Sequence, residues 1–584
     1  MNIKKYLYIG ALALGFGFTS CVGDLNLQPN DPNVVDSSAP DFKENTLAIC
    51  YSGIACSGIS GPGSSYVSGL DAGASAYLRL IFTVSEWCTD ECVWIWPNDE
   101  GSSAGDLDAC TWSASNVYLN GTYYRLVGHI ALCNQFLANY KDENDEETLE
   151  MKAEARTLRA YSYYNMLDLF GKSSFITEEA EIGEEPKQYT RQQLFEWLEQ
   201  ELVDIVDNST LGAPKALGRV GKDAAEALLA KLYLNGQVWT GDESYWAKCQ
   251  QRCANIIARH QGGGFEGSGL ANNYLYLFCR ENGQYMQGGS RNGEDEILFG
   301  IWFDDIYTQS YGGPTFVIAS CISNTHYIPR QNYGCSSEWA CIRGKLQMSQ
   351  KFYGLDNDVR DDLWLKGGTD VYPEHTEYVL GADGKPVIGD DGEPVVDQEK
   401  SWPSENYSDE FEGFTGDWKT CGGNAIIKFT GRYPNAAWDG GWDMEKTIAN
   451  ASGFASTAQP VIRLADIYLM WAECYLNGHV GDQTTALNYV NIVRKRAGSP
   501  ELTSGQFTIG NLMNERSREL YLESWRRNDL VRNGMFAGNN QITWQLKGNI
   551  ENLEGTRISE RNNVFPIPTS VLGAQPHFTQ NEGY

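Results

Sequence analysis

The chain has 584 residues, of which 12% are aromatic, and a formal net charge of −31 at neutral pH. That length supports a large core, in one very large domain or two to three ordinary ones. The negative charge excludes nucleic acid and anionic lipid surfaces as partners. Residues 1–20 read as a signal peptide. Lys4 and Lys5 supply its positive end, and the apolar run Tyr6–Phe18 is too short to span a bilayer. Thr19 and Ser20 are small and stand directly before Cys21, the pattern of a lipoprotein cleavage site. Cys21 is therefore expected to become the acylated first residue, with the polar stretch to about residue 40 as a tether. Each buried CH₂ of an acyl chain contributes about 0.8 kcal/mol, so a multiply acylated Cys21 holds firmly and is the one membrane attachment expected.

Helical patterns follow. Lys152–Phe170 has strong helix formers and no Pro or Gly, with Gly171 as its stop. Lys222–Asn235 reads the same way, closed by Gly236, and Tyr245–Arg259 forms the next helix. Leu464, Ile467, Tyr468, Trp471 and Tyr475 share one apolar face of a helix that Gly478 ends, and Thr484–Gly498 makes another. Ala225, Ala227 and Ala230 allow close helix packing, so 150–260 and 460–536 resemble degenerate tetratricopeptide hairpins. The stretches 60–110 and 262–460 are expected to be irregular and loop-rich. Within them, Gly381–Val396 repeats a G-x-D-G-x-P-V unit and predicts a surface hairpin without EF-hand spacing.

The fifteen cysteines include no C-x-x-C pair. Cys88 and Cys92, and Cys249 and Cys253, stand four apart without matching histidines, so no zinc site is expected. Most cysteines read as small buried hydrophobes, with any pairing left open. No G-x-S-x-G, H-E-x-x-H or P-loop pattern is present. Paired carboxylates alone could serve a glycosidase, but 76 acidic residues make such pairs common by chance, so no catalysis and no cofactor are expected.

Several segments carry a family resemblance: TDECVWIW at Thr89–Trp96, LRAYSYYNMLDLFGK at Leu158–Lys172, SYGGPTF at Ser310–Phe316, RRNDLVRNGMF at Arg526–Phe536, and the ending FPIPTSVL…NEGY. In their order and spacing the chain resembles the SusD/RagB family of outer-membrane lipoproteins, above all its starch-binding members. The resemblance implies a mainly α fold, with four tetratricopeptide-like helix pairs packed against an irregular half that carries the ligand site. It also implies an outward-facing position on the outer membrane, over a SusC-like TonB-dependent barrel, and glycan binding without chemistry.

In the starch-binding members an arc of aromatic rings stacks on a helical α-glucan. The resemblance matches that arc to Trp96, with Trp94 two residues before it, to Tyr311 and to Trp339. Polar partners match Asp71 and Arg79; the amide position aligns with Asp99, and Asn98 beside it could serve instead. These residue types suit sugars, because an indole or phenol face covers the axial C–H face of glucose and removes it from water. One covered ring face contributes about 1–3 kcal/mol, against an association cost of roughly 4–15 kcal/mol, so weak affinity follows. Trp94 and Trp96 share a face only if their segment is extended. The family's calcium position falls near Gly288–Ser290 and just before the RLA helix; Ser456–Ala465 has no Asp, so no metal is expected. The expected ligand is an α-glucan or maltooligosaccharide passed to the barrel. The alternatives are another polysaccharide, or a tetratricopeptide scaffold without a glycan site.

Overall fold

The computed structural model describes residues 41–181, 183–282, 296–322, 333–337, 339–365, 376–397, 411–414, 422–437 and 439–584. Cys21, the signal segment, the tether and Gly288–Ser290 lie outside the described residues. The chain divides into a short leading unit, Met1–Ile49, and a body, Cys50–Tyr584. Residues 42–49 belong to the first turns of helix α1 (Phe42–Ala55).

Helices dominate the body, as the resemblance implied. In order come α2 (Tyr77–Glu86), strand β1 (Cys92–Trp94), α3 (Ser103–Asp108), α4 (Val117–Asn139), α5 (Glu146–Phe170), α6 (Arg191–Asn208), α7 (Lys222–Leu234) and α8 (Tyr245–His260). Next are β2 (Ile297–Ile301), α9 (Gly313–Cys321), β3 (Ile342–Gly344), β4 (Gln459–Arg463), α10 (Leu464–Gly478), α11 (Gln483–Arg496), α12 (Ile509–Leu520) and α13 (Arg526–Arg532). Side-chain caps start many of the helices: Asn116 on α4, Asp145 on α5, Asp482 on α11 and Thr508 on α12. Thr190 and Gln193 form a reciprocal capping box on α6. Packing runs α4–α5–α6–α7–α8 and passes from α8 to α10 and from α10 to α11, so two blocks far apart in sequence form one helical array. Among the described residues no helix is long and apolar enough to cross a membrane.

Two glycines do more than end helices. Helix α7 ends at Leu234, a separate short helix runs from Gly236 to Thr240, and α10 ends on Gly478. A Cβ at Gly236 would lie 2.4 Å from Tyr245, and one at Gly478 2.4 Å from Trp246. Both glycines let a neighbouring segment approach the first residues of α8. The Gly381–Val396 repeat also differs from a simple hairpin. Its two tight turns create three extended segments, and these close on one another: Val387 N–H donates to Val379 C=O, Val395 to Val387, and Val379 to Val395. Of the thirteen described cysteines, all but Cys56 are buried.

His129 is buried in α4. Its Nε2 lies 2.9 Å from the Cys50 carbonyl and its Nδ1 2.7 Å from the Ser162 hydroxyl. That pattern fits a neutral ring that donates at Nε2 and accepts at Nδ1. Burial pushes the imidazole down to about 4, with Arg125 adding to the depression against the Cys50 hydrogen bond. In the unfolded chain its value is about 6.5, so between the two values the unfolded chain holds more protons. The stabilisation is fully present above the unfolded value and is lost as pH falls through the window. We expect the urea midpoint to fall between about pH 7 and pH 5, and His129→Gln to flatten that slope. Equal slopes for both proteins would remove His129 from the account.

An ionic layer beneath the irregular part positions the site. Asp90 pairs with Arg526 at 2.6 Å and Lys351 at 2.8 Å, with Asp90 and Arg526 buried. Glu91 accepts from the Ser517 hydroxyl at 2.6 Å and from Leu522 N–H at 3.2 Å. Ser524 N–H donates to Glu86 at 2.6 Å. The segment entering β1 is thus tied to α12, α13 and the turn between them.

Candidate functional site

Strand β1 pairs antiparallel with β3, with Trp94 opposite Ile342. Ile95 N–H continues the pairing by donating to Cys341 C=O at 2.9 Å. Extended backbone sends alternate side chains to opposite faces, yet the two tryptophans do not both reach the surface. Trp94 is 2% exposed and Trp96 43%. Trp94 stacks on Trp87 at 4.5 Å and meets the edge of Trp96 at 5.6 Å. Trp94 therefore presents no face to a sugar, contrary to its expected place among the glycan-binding residues; it supports Trp96 from below. The strand ends at Trp94, and the chain turns away through Pro97, so the alternation does not carry Trp94 and Trp96 to one open face.

The aromatic contacts continue past Trp94. Trp94 stacks with Phe316 of α9 at 6.0 Å, Phe316 meets Trp339 at 6.4 Å, and Trp339 meets Tyr311 at 6.2 Å. Tyr311 is 39% exposed, and Phe454 packs against it at 4.9 Å. Trp339 is half-buried and is tied to α9 by its N–H, which donates to Ala319 C=O at 2.7 Å. The guanidinium of Arg79, on α2, lies 4.3 Å from the Phe316 ring centroid and 6.0 Å from those of Trp94 and Trp339. Cation–π placement of this kind holds a guanidinium without an anion. Arg79 is 8% exposed, and its Nε has no hydrogen-bond partner.

Asp71 sits at the same place. A Cβ at Gly73 would lie 2.8 Å from Tyr311 Cβ, 3.1 Å from Arg79 Nη1 and 3.3 Å from Asp71 Oδ1, so the bare glycine lets all three converge. Asp71 Oδ1 accepts from Ala74 N–H at 2.9 Å. Among the described residues no ion pair joins Asp71 to Arg79, which leaves both with capacity for a ligand. The pair at the amide position separates cleanly. Asp99 accepts from the Tyr118 hydroxyl at 3.1 Å, whereas Asn98 is exposed and its side chain makes no hydrogen bond among the described residues.

Two neighbours were not singled out from the sequence. Phe454 extends the aromatic surface beside Tyr311 but stands alone in SGFAS, far along the chain, with no local signal. Glu100 follows Asp99 at a positive φ of 48°. Burial, then Asp99 and Asp71, raises its carboxyl, while the Asp71 backbone N–H and Arg79 oppose the shift. The arrangement offers stacking faces, one nearly buried guanidinium and several acceptors, and it suits an uncharged ligand rich in hydroxyls and C–H faces.

Comparison with known proteins agrees with this picture. The SusD family profile matches residues 226–584, and a second profile, described as starch-binding associating with outer membrane, matches 84–234. The chain is 32% identical to the starch-binding protein SusD of Bacteroides thetaiotaomicron, over 99% of both chains. It is 22% identical to a SusD-like protein of Bacteroides ovatus, over 65% of this chain and 58% of that one. Its fold matches a SusD superfamily protein of Parabacteroides distasonis with a TM-score of 0.62 at 18% identity, covering 93% of this chain and 99% of the other. It also matches surface glycan-binding protein A of Bacteroides thetaiotaomicron, solved with laminarihexaose, with a TM-score of 0.63 at 16% identity and the same coverage. A profile that spans more than half of the chain, together with this full-length identity, shows that the chain belongs to the SusD family.

Proposed function

We propose that the protein captures a starch-like α-glucan at the outer face of the outer membrane, without catalysis, and passes it to a SusC-like TonB-dependent barrel. The observation that carries the reading is the chain of ring contacts from half-exposed Trp96 through Trp94, Phe316 and Trp339 to half-exposed Tyr311, with the Arg79 guanidinium over Phe316. Stacking on Trp96, Tyr311 and Trp339 supplies the affinity. Arg79, Asp71 and Asn98 meet sugar hydroxyls, and Asp99, held by Tyr118, braces the turn that carries Trp96. Cys21 holds the lipid, and the tether leaves the body free to sit over the barrel. The full-length likeness to a protein named for starch binding supports the choice of glycan.

Native gels cast with amylopectin, glycogen, pullulan and laminarin test the reading. Retardation by the α-glucans is the expected result. Retardation by laminarin alone favours a second reading, another polysaccharide, which the solved laminarihexaose complex of the same fold makes the natural comparison. Incubation with maltoheptaose should release no reducing ends; their steady release would overturn the non-catalytic reading.

A further inference from the structure

The loop just before Tyr311 exposes two apolar side chains to an unusual degree. Ile306 is 69% exposed and Tyr307 89%. Side chains of this kind normally give up most of their surface to the fold, and a tyrosine can bury about 150–250 Å². Here the backbone is held while the side chains stay out. Asp304 Oδ1 accepts the N–H of Tyr307, that of Ile306 at 2.8 Å and that of Thr308 at 3.3 Å. Asp304 Oδ2 accepts from the Thr308 hydroxyl at 3.4 Å. Asp305 pairs with Arg280 at 2.5 Å, and its carbonyl accepts from Gln309 Nε2 at 2.8 Å. Arg280 is itself buried and donates through Nε to the Tyr433 hydroxyl at 2.8 Å. Both acidic residues of the turn are thus engaged internally. The tip offers a phenol and a branched aliphatic group on a pre-ordered backbone, four residues before Tyr311.

We infer that Tyr307 is a further glycan contact, stacking on sugar units of the bound chain that run beyond the Tyr311 end of the aromatic surface. The inference rests on the glycan-binding reading above and deepens it: it makes the preferred ligand longer than the aromatic arc itself. The chemistry fits a neutral sugar. A phenol face covers axial C–H groups, its hydroxyl can reach a ring substituent, and Ile306 adds apolar surface alongside. Because Asp304 and Arg280 already fix the turn, little ordering is left to be done on binding, so the contact acts on affinity for long chains. An arc that serves a short oligosaccharide gains nothing from it.

The test uses the full mature protein and its Tyr307→Ala, Tyr307→Phe and Tyr311→Ala variants. Each is titrated calorimetrically with maltotriose and maltoheptaose and run on amylopectin gels. We expect Tyr307→Ala to weaken maltoheptaose and amylopectin binding roughly five- to tenfold and to leave maltotriose unchanged, with Tyr307→Phe close to wild type. Tyr311→Ala should weaken binding of all three. If Tyr311→Ala loses binding while Tyr307→Ala matches wild type on every ligand, the role of Tyr307 is wrong and the arc stands. Equal losses on maltotriose and maltoheptaose would place Tyr307 inside the arc and overturn the extension. If wild type and Tyr311→Ala behave alike throughout, the α-glucan site itself falls, and the Tyr307 contact with it.

Discussion

Replacing Glu519 by glutamine should lower the stability of the body by about 3–5 kcal/mol, the range for removing one partner of a buried ion pair. Glu519 lies fully buried on α12 and pairs with Arg360 at 3.0 Å, Arg463 at 2.9 Å and Arg496 at 2.5 Å. Glutamine keeps the volume but withdraws the charge that three buried guanidinium groups share. Each of those arginines has other acidic partners: Arg360 meets Asp358 and Glu515, Arg463 meets Glu296 and Glu523, and Arg496 meets Glu296. That redundancy sets the expected loss at the lower part of the range. Glu179→Gln is the contrast, because the Lys141–Glu179 pair is exposed on both sides and solvent screens its attraction. Urea midpoints followed by circular dichroism measure both. If Glu519→Gln shifts the midpoint no more than Glu179→Gln does, the buried layer is not holding the fold.

The second large effect concerns the two tryptophans that flank residue 95. Trp96→Ala should eliminate retardation on amylopectin gels and leave the thermal midpoint near that of wild type. The ring is half-exposed, so its loss removes a stacking face of about 1–3 kcal/mol, roughly a five- to 150-fold change in affinity, and little packing. Trp94→Ala should do something different. Its ring is buried against Trp87 and Phe316, and truncation of a core tryptophan typically costs about 3–5 kcal/mol of stability. Binding would then fail only because the platform under Trp96 is lost. Wild-type retardation of Trp96→Ala would sink the assigned arc, and a fully stable Trp94→Ala would contradict the burial.

How much of this was legible beforehand varies by residue. Helix α10 was readable because its apolar residues recur with the helical period, and α5 and α7 because strong helix formers fill them without Pro or Gly. Gly236 and Gly478 were readable as stops, and helices α7 and α10 end there, but their second task, letting another segment come close, has no local signature, because a glycine needed for close approach looks identical in sequence to one needed for a turn. The repeat at 381–396 announced its turns through D-G steps, but the closing of three segments into a ring depends on hydrogen bonds between turns that no local pattern encodes.

The chain's own order of residues determined the family, the predominance of helix and the rings worth watching, since these depend on local periodicity and on motifs read in a row. Only the tertiary structure decided which ring faces water. Trp94 and Trp96 differ by two positions and share a residue type, yet one packs under the other because α2 and α9 bring Trp87 and Phe316 against that one alone. The same holds for Phe454, which joins Tyr311 from more than a hundred residues away, and for Tyr307, whose exposure depends on Arg280 holding its loop from a separate segment. Burial is a property of what the rest of the chain places nearby, and no single segment carries that information.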